Sequence, residues 1–314
     1  MSHIQSILPQ LNGNIFLTDG GLETCMVFYE GFDLPYFAAF DLLKNDSGVD
    51  AMKRYFTKHM NVASRHGVGF VLESPTWRAS SGWGRKMGYT EAAVTEANRK
   101  AIALLSTLRD EFDDSSIDIV ISGCVGPRGD GYVVSDAMTV AEAEAYHAPQ
   151  IVALKEGGAD LISALTMNYV DEALGIVRAS QATGIPVSIS FTVETDGRLP
   201  DGSTLKAAIE RVDRETGNTP AYYMINCAHP THFAHLLESG GEWLLRIRGI
   251  RANASALSHA ELDEAEELDD GDPINLGTLY GRLKDMMPHL TVLGGCCGTD
   301  HRHINAIAHA CVTA

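Results

Sequence analysis

Eight short apolar runs recur along the chain, and each is followed by a stretch with helical patterning. This alternation limits the fold more than any other feature. Parallel strands in one sheet need long crossovers, usually helices, so a repeated strand-then-helix order points to an α/β architecture. The expected strands are 14–18, 68–72, 117–122, 160–164, 186–191, 221–225, 244–250 and 290–293, several of them rich in β-branched residues. The expected helices include 49–66, 91–110, 139–155, 170–183, 205–216, 276–287 and 302–312. Thr139 and Glu142 form a capping-box pattern, Gly184 and Gly217 stop their helices, and Pro230 opens another.

Eight such units match a (β/α)8 barrel, the TIM barrel. A doubly wound sheet is the alternative, but the first strand-to-helix turn, Thr18-Asp19-Gly20-Gly21-Leu22, lacks the Gly-x-Gly-x-x-Gly phosphate fingerprint. The 314 residues contain no repeat or linker, so one domain over 1–314 is expected, and a 45% hydrophobic content can fill its core. Acidic residues outnumber basic ones, 41 to 24, and the net charge of −17 repels phosphate backbones, which argues against a nucleic-acid partner. The start lacks a basic stretch followed by a long apolar one, and no apolar run reaches membrane-spanning length. The expectation is a soluble cytoplasmic protein with no membrane partner, its six cysteines serving as thiols or metal ligands. The acidic run 260–272 reads as a solvated loop or short helix, with an active-site lid as the alternative.

In such a barrel, chemistry gathers at the C-terminal ends of the strands. The last strand ends in Gly294-Gly295-Cys296-Cys297-Gly298-Thr299. Side chains alternate faces along an extended strand, so adjacent cysteines aim at one point only where the backbone turns sharply, which the glycines permit. Such a pair can bind a soft metal, close a vicinal disulfide, or simply pack as small hydrophobes. Cys227 ends the sixth strand, two places from the eighth around the ring. Three thiols can thus converge on the upper face, and three thiolates leave a tetrahedral zinc one vacant position.

The sequence resembles the zinc-dependent homocysteine S-methyltransferase family over nearly its whole length. The resemblance rests on Asp19-Gly20-Gly21, Gly123-Cys124-Val125-Gly126-Pro127, Asn226-Cys227, and the Gly294–Thr299 motif. It implies a (β/α)8 barrel whose zinc is held by Cys227, Cys296 and Cys297. It also implies a small-molecule thiol acceptor, homocysteine, and a sulfonium or quaternary ammonium methyl donor. A metal-bound thiol is deprotonated and nucleophilic, so methyl transfer needs no covalent enzyme intermediate.

The resemblance further implies that Asp19 helps bind the acceptor's amino group; otherwise it caps the Gly20-Gly21 bend. Gly123 to Gly126, with Cys124 among them, could offer backbone N–H groups to a carboxylate or simply pack tightly. Glu73, Trp77 and Tyr132 could shape the donor pocket or the rim. Glu194 and Asp196 could face a cationic donor or hold a loop. Asn226, beside Cys227, could hydrogen-bond a thiolate, and Thr166 lies at the end of the fourth strand. Histidines 229, 232, 235, 301 and 303 could be metal ligands, but most read as helix-surface residues and none is needed to complete the metal set. One departure stands out. Leu165-Thr166 occupies the place of a family Glu-Thr pair whose Glu binds the homocysteine ammonium. Either another carboxylate, Asp19 or Glu73, takes over, or the thiol is not homocysteine. A non-catalytic zinc- or thiol-binding barrel, and redox sensing through Cys296 and Cys297, are the competing functions.

Overall fold

The computed structural model describes residues 8–112, 116–264 and 267–312. Eight parallel strands close into a barrel in sequence order, and β1 pairs with both β2 and β8. The strands are β1 Phe16–Thr18, β2 Gly69–Glu73, β3 Ile119–Val125, β4 Leu161–Met167, β5 Val187–Phe191, β6 Tyr222–Asn226, β7 Ile247–Ala252 and β8 Val292–Gly295. The helices are α1 Leu22–Phe28, α2 Asp46–His66, α3 Ser81–Lys86, α4 Glu91–Glu111, α5 Val140–Gly157, α6 Val170–Thr183, α7 Leu205–Thr216, α8 Pro230–Leu237, α9 His259–Asp263, α10 Pro273–Met286 and α11 His301–Cys311. The (β/α)8 expectation is met. No helix among the described residues is long and apolar enough to cross a membrane.

Local chemistry accounts for the element ends. The Thr139–Glu142 capping box opens α5, and Asn45 accepts from the Gly48 amide to open α2. Gly184 and Gly217 stop α6 and α7 in the left-handed conformation. Two short helices, α1 and α3, are additions to the sequence expectation, and α9 is the short helix allowed for in the acidic run. In place of an early β7, Glu242–Arg246 forms a 3₁₀ turn and the strand begins at Ile247.

Alternation along the strands divides the interior in two. Leu72, Ile121, Ile162, Ile189, Ile225 and Ile250 face outward and pack with the helices in one large core. Phe16, Val71, Val120, Leu161, Tyr222, Met224 and Val292 face inward and fill the lower barrel. Two residues further up the same inward rows the chemistry becomes polar: Glu73, Ser122, Ser163, Asn226 and Arg251. The barrel therefore has an apolar floor and a polar upper layer beneath its C-terminal mouth.

Candidate active site

The three cysteines meet at that mouth. Their sulfurs all lie within 4.8 Å of one another. Cys227 follows β6, while Cys296 and Cys297 follow β8. Cys227 and Cys296 are joined in a disulfide with Cα atoms 5.4 Å apart. Cys297 is a free thiol, with its Sγ 4.0 Å from that of Cys227. The bridge thus crosses from β6 to β8 instead of linking the adjacent pair, which corrects the vicinal-disulfide alternative. Reduced, the site presents three thiols. Three thiolates on one zinc, each at about 2.3 Å, stand roughly 3.8 Å apart, so the Cys227–Cys297 spacing fits such an ion. Histidine is absent from this group among the described residues.

Each sulfur has a polar neighbour. Thr166 Oγ1 lies 3.9 Å from Cys227 Sγ, Asn226 Nδ2 3.9 Å from Cys296 Sγ, and Tyr132 Oη 3.8 Å from Cys297 Sγ. Asn226 organises this shell. Its Oδ1 accepts from the Thr166 amide at 2.9 Å and from Ser190 Oγ at 2.6 Å, and its Nδ2 donates to Thr166 Oγ1 at 2.9 Å. The backbone is strained here: Thr166 has φ 62° and Cys227 φ 54°. A β-branched residue in that region is held only by its surroundings. The β4–β5 register shift between Ala164 and Met167 brackets Thr166.

Below the sulfurs lies a buried charge cluster. Arg251 donates from Nη2 to Asp19 at 2.7 Å and from Nε to the Gly295 carbonyl at 3.1 Å, and its Nη1 lies 3.5 Å from Glu73. Tyr55 donates to the other Asp19 oxygen at 3.1 Å. Burial pulls the Arg251 pKa down, but Asp19 and Glu73 outweigh it and the guanidinium stays charged. Burial pushes Glu73 up to about 7 against the pull of Arg251. Glu23, in the first turn of α1, is half-buried and is likewise pushed up to about 7 by loss of water.

The rim is built from the chain's own aromatic stacks. Tyr132, on the loop after β3, stacks on His259 of α9 with centroids 4.0 Å apart. His259 Nε2 donates to the Cys227 carbonyl at 2.5 Å, and its Nδ1 lies 3.1 Å from Glu194. The Arg78 guanidinium sits 3.9 Å from both the Trp77 and Trp83 rings. One face of Trp77 and one of Tyr132 are therefore already taken, leaving less of the aromatic donor pocket than the sequence suggested.

The other expected residues divide between mouth and scaffold. Gly20 lies against Thr299 and its carbonyl faces Arg251. Cys124 faces inward beside Leu165 in the barrel core, and its amide donates to Ser74 Oγ at 2.9 Å. Gly123 faces Leu154 of α5 and Ile162 of β4, a packing position on the outer face. Asp196 bonds the Arg198 amide and holds a loop. His229, His232 and His303 are buried, which corrects the surface expectation for them: His229 caps α8, His232 bonds the Ala256 carbonyl, and His303 bonds the Asp270 carbonyl. The acidic run forms α9 and, further on, lies over the cysteine turn: Asp269 receives Ser255 Oγ, and its carbonyl abuts Gly298. Arg251, Glu23, Arg78 and His259 are site residues that the sequence expectation omitted. Arg251 carried little signal, because Arg246 and Arg248 precede it in the same segment and the expected strand 244–250 stopped one residue short of it.

A closed (β/α)8 barrel with three cysteine sulfurs gathered at its C-terminal mouth defines a barrel enzyme with a centre sized for one soft metal ion. The sequence matches the homocysteine S-methyltransferase family over residues 16–311; the chain belongs to that family and is a methyltransferase. Its fold is shared by solved structures of the homocysteine methyltransferase MmuM from Escherichia coli. The oxidized form has a TM-score of 0.76 at 18% identity, covering 98% of this chain and 99% of that one. The metallated form has a TM-score of 0.73 at 19% identity, covering 96% and 99%.

Proposed function

We propose that this chain is a zinc-dependent S-methyltransferase that moves a methyl group from a sulfonium or quaternary ammonium donor to homocysteine, giving methionine. The convergence of Cys227, Cys296 and Cys297 within 4.8 Å, in a member of this family, carries the reading. Bound by these three thiolates, zinc would supply Lewis-acid activation of the acceptor thiol. The chain's own groups do the rest. Thr166, Asn226 and Tyr132 orient the ligand sulfurs, and the Tyr132–His259 stack shields one side of the mouth from water. The acceptor sulfur gives up its proton to solvent and forms the new S–C bond. The donor's bond to the same carbon breaks, and the donor leaves as a neutral thioether or amine. Donor and acceptor are small molecules that meet the protein in the cytoplasm, with no nucleic acid or membrane involved, in methionine biosynthesis.

The test is a donor-by-acceptor assay on reduced, zinc-loaded protein. Homocysteine is offered with S-methylmethionine, S-adenosylmethionine, dimethylsulfoniopropionate and glycine betaine. One zinc per chain and methionine formation from at least one donor are expected, with both lost in Cys227→Ser. Full transfer by metal-free protein or by that variant would sink the reading. Leu165 favours a second reading, a thiol acceptor other than homocysteine, because an apolar side chain cannot pair with an ammonium.

A further inference from the structure

With Leu165 on β4, the acceptor's ammonium needs another carboxylate. Asp19 and Glu73 are poorly placed to serve. Each Asp19 oxygen already accepts a hydrogen bond, from Arg251 and from Tyr55, and Glu73 faces the same guanidinium. Glu23 remains. It stands between Gly21 and Thr24, which both touch the cysteine turn. A Cβ on Gly21 would meet the Cys296 carbonyl and lie 3.2 Å from Cys297 Cα, and Thr24 Oγ1 accepts from the Gly298 amide at 3.3 Å. The Glu23 charge acts on Cys297. Its carboxylate bonds its own backbone amide and forms no ion pair among the described residues.

The opposite charge stands nearby. Arg78 is within electrostatic reach of Glu23. Its Nη1 bonds only to the carbonyls of Pro127 and Gly129, its Nε is unpartnered, and it holds no salt bridge among the described residues. Asp130, the carboxylate that most favours its charge, forms no salt bridge with it, and its Oδ1 accepts from the amides of Tyr132 and Val133. A half-buried carboxyl that burial drives toward its neutral form, and a buried cation with no salt bridge among the described residues, suit a ligand that carries both charges.

We propose that Glu23 and Arg78 clamp the zwitterionic end of the acceptor, Glu23 taking the α-ammonium and Arg78 the α-carboxylate, so that the site selects thiols of α-amino acids. This rests on the proposed use of homocysteine, and it is tested by binding, apart from turnover. Calorimetry on the reduced, zinc-loaded chain compares homocysteine with 4-mercaptobutyrate, which lacks the amino group, and 3-mercaptopropylamine, which lacks the carboxyl. Wild type should prefer homocysteine by about tenfold or more over each, the scale of one charge-assisted hydrogen bond. Glu23→Gln should erase the preference over 4-mercaptobutyrate and keep that over 3-mercaptopropylamine, and Glu23→Asp should restore part of it. Arg78→Gln should do the reverse, with Arg78→Lys as its rescue. Equal binding of all three thiols by wild type, or a uniform loss across them in Glu23→Gln, overturns the clamp. The expected preferences without turnover on any donor would uphold the clamp and remove the transferase reading.

Discussion

Arg251 of β7 grips Asp19 at the end of β1 with a 2.7 Å hydrogen bond, inside the barrel and out of reach of water. The same guanidinium holds the Gly295 carbonyl, where β8 runs into the cysteine turn. One side chain therefore ties three strand ends together directly beneath the sulfurs. It also leaves Asp19 less free to meet an incoming ammonium.

Arg251→Gln should be among the most damaging single changes. It leaves Asp19 buried beside an amide too short to reach, and breaking a buried ion pair from one side costs about 3–5 kcal/mol. Urea unfolding should show that loss, and adding Asp19→Asn should recover a substantial part of it. If Arg251→Gln and the double variant are equally destabilised, the pair is not coupled as described.

Asn226 makes three hydrogen bonds, two that fix Thr166 in its strained conformation and one from Ser190 Oγ. Asn226→Ala strands the Thr166 amide, Thr166 Oγ1 and Ser190 Oγ in a buried site. The expected cost is about 2–3 kcal/mol, with zinc affinity reduced about 10–100-fold, the usual effect of losing an outer-shell partner. Chelator competition on reduced protein measures the second quantity. Unchanged zinc affinity in a folded variant would remove Asn226 from the support of the cysteines.

The barrel was legible because strands covered on both faces read as continuous apolar runs, as 68–72 and 221–225 do. The strand ends were less so. β2, β3, β4, β6, β7 and β8 run one to three residues past their expected ends, and the added residues include Glu73, Cys124, Thr166, Asn226 and Arg251. Polarity there suggested a loop, yet those side chains point into the polar upper barrel while the backbone continues the ladder. The cysteines were visible because three thiols placed at strand ends are rare by chance. Glu23 and Arg78 were not, because a charge beside a turn usually marks solvent, and only the fold brings Glu23 within reach of Cys297 and lays Arg78 against Trp77 and Trp83. Helices as short as α1, α3 and α9 carry too few turns for a periodic signal.

Tyr132 reaches from the loop after β3 to stack on His259 and set its hydroxyl near Cys297. Tyr132→Ala should open that side of the mouth, and Cys297 in reduced, metal-free protein should alkylate several-fold faster with iodoacetamide. Tyr132→Phe keeps the stack and should stay near the wild-type rate. Peptide mapping of the alkylated site decides this, and equal rates in all three proteins would mean the ring shields nothing.

His59, buried in α2, gives a pH dependence with a definite sign. Its Nδ1 lies 2.8 Å from the Tyr55 carbonyl, while Nε2 has no partner, so burial holds its pKa down at about 4. In the unfolded chain it titrates near 6.5. Between those values the unfolded state binds the extra proton, so this group's contribution to stability falls as pH drops from 6.5 toward 4, with a slope of up to about 1.4 kcal/mol per pH unit. Glu73, raised to about 7, works in the opposite direction: folding keeps its proton while the unfolded chain loses it above about 4.5, so its contribution grows as pH falls through the same range. The net curve therefore mixes opposing terms, and the comparison that isolates His59 is between wild type and His59→Asn. Urea unfolding at pH 7.5, 6 and 5 should show the variant losing less stability than wild type on acidification, whatever its starting value. Parallel curves for the two proteins would show that His59 is protonated to the same extent folded and unfolded, contrary to its burial.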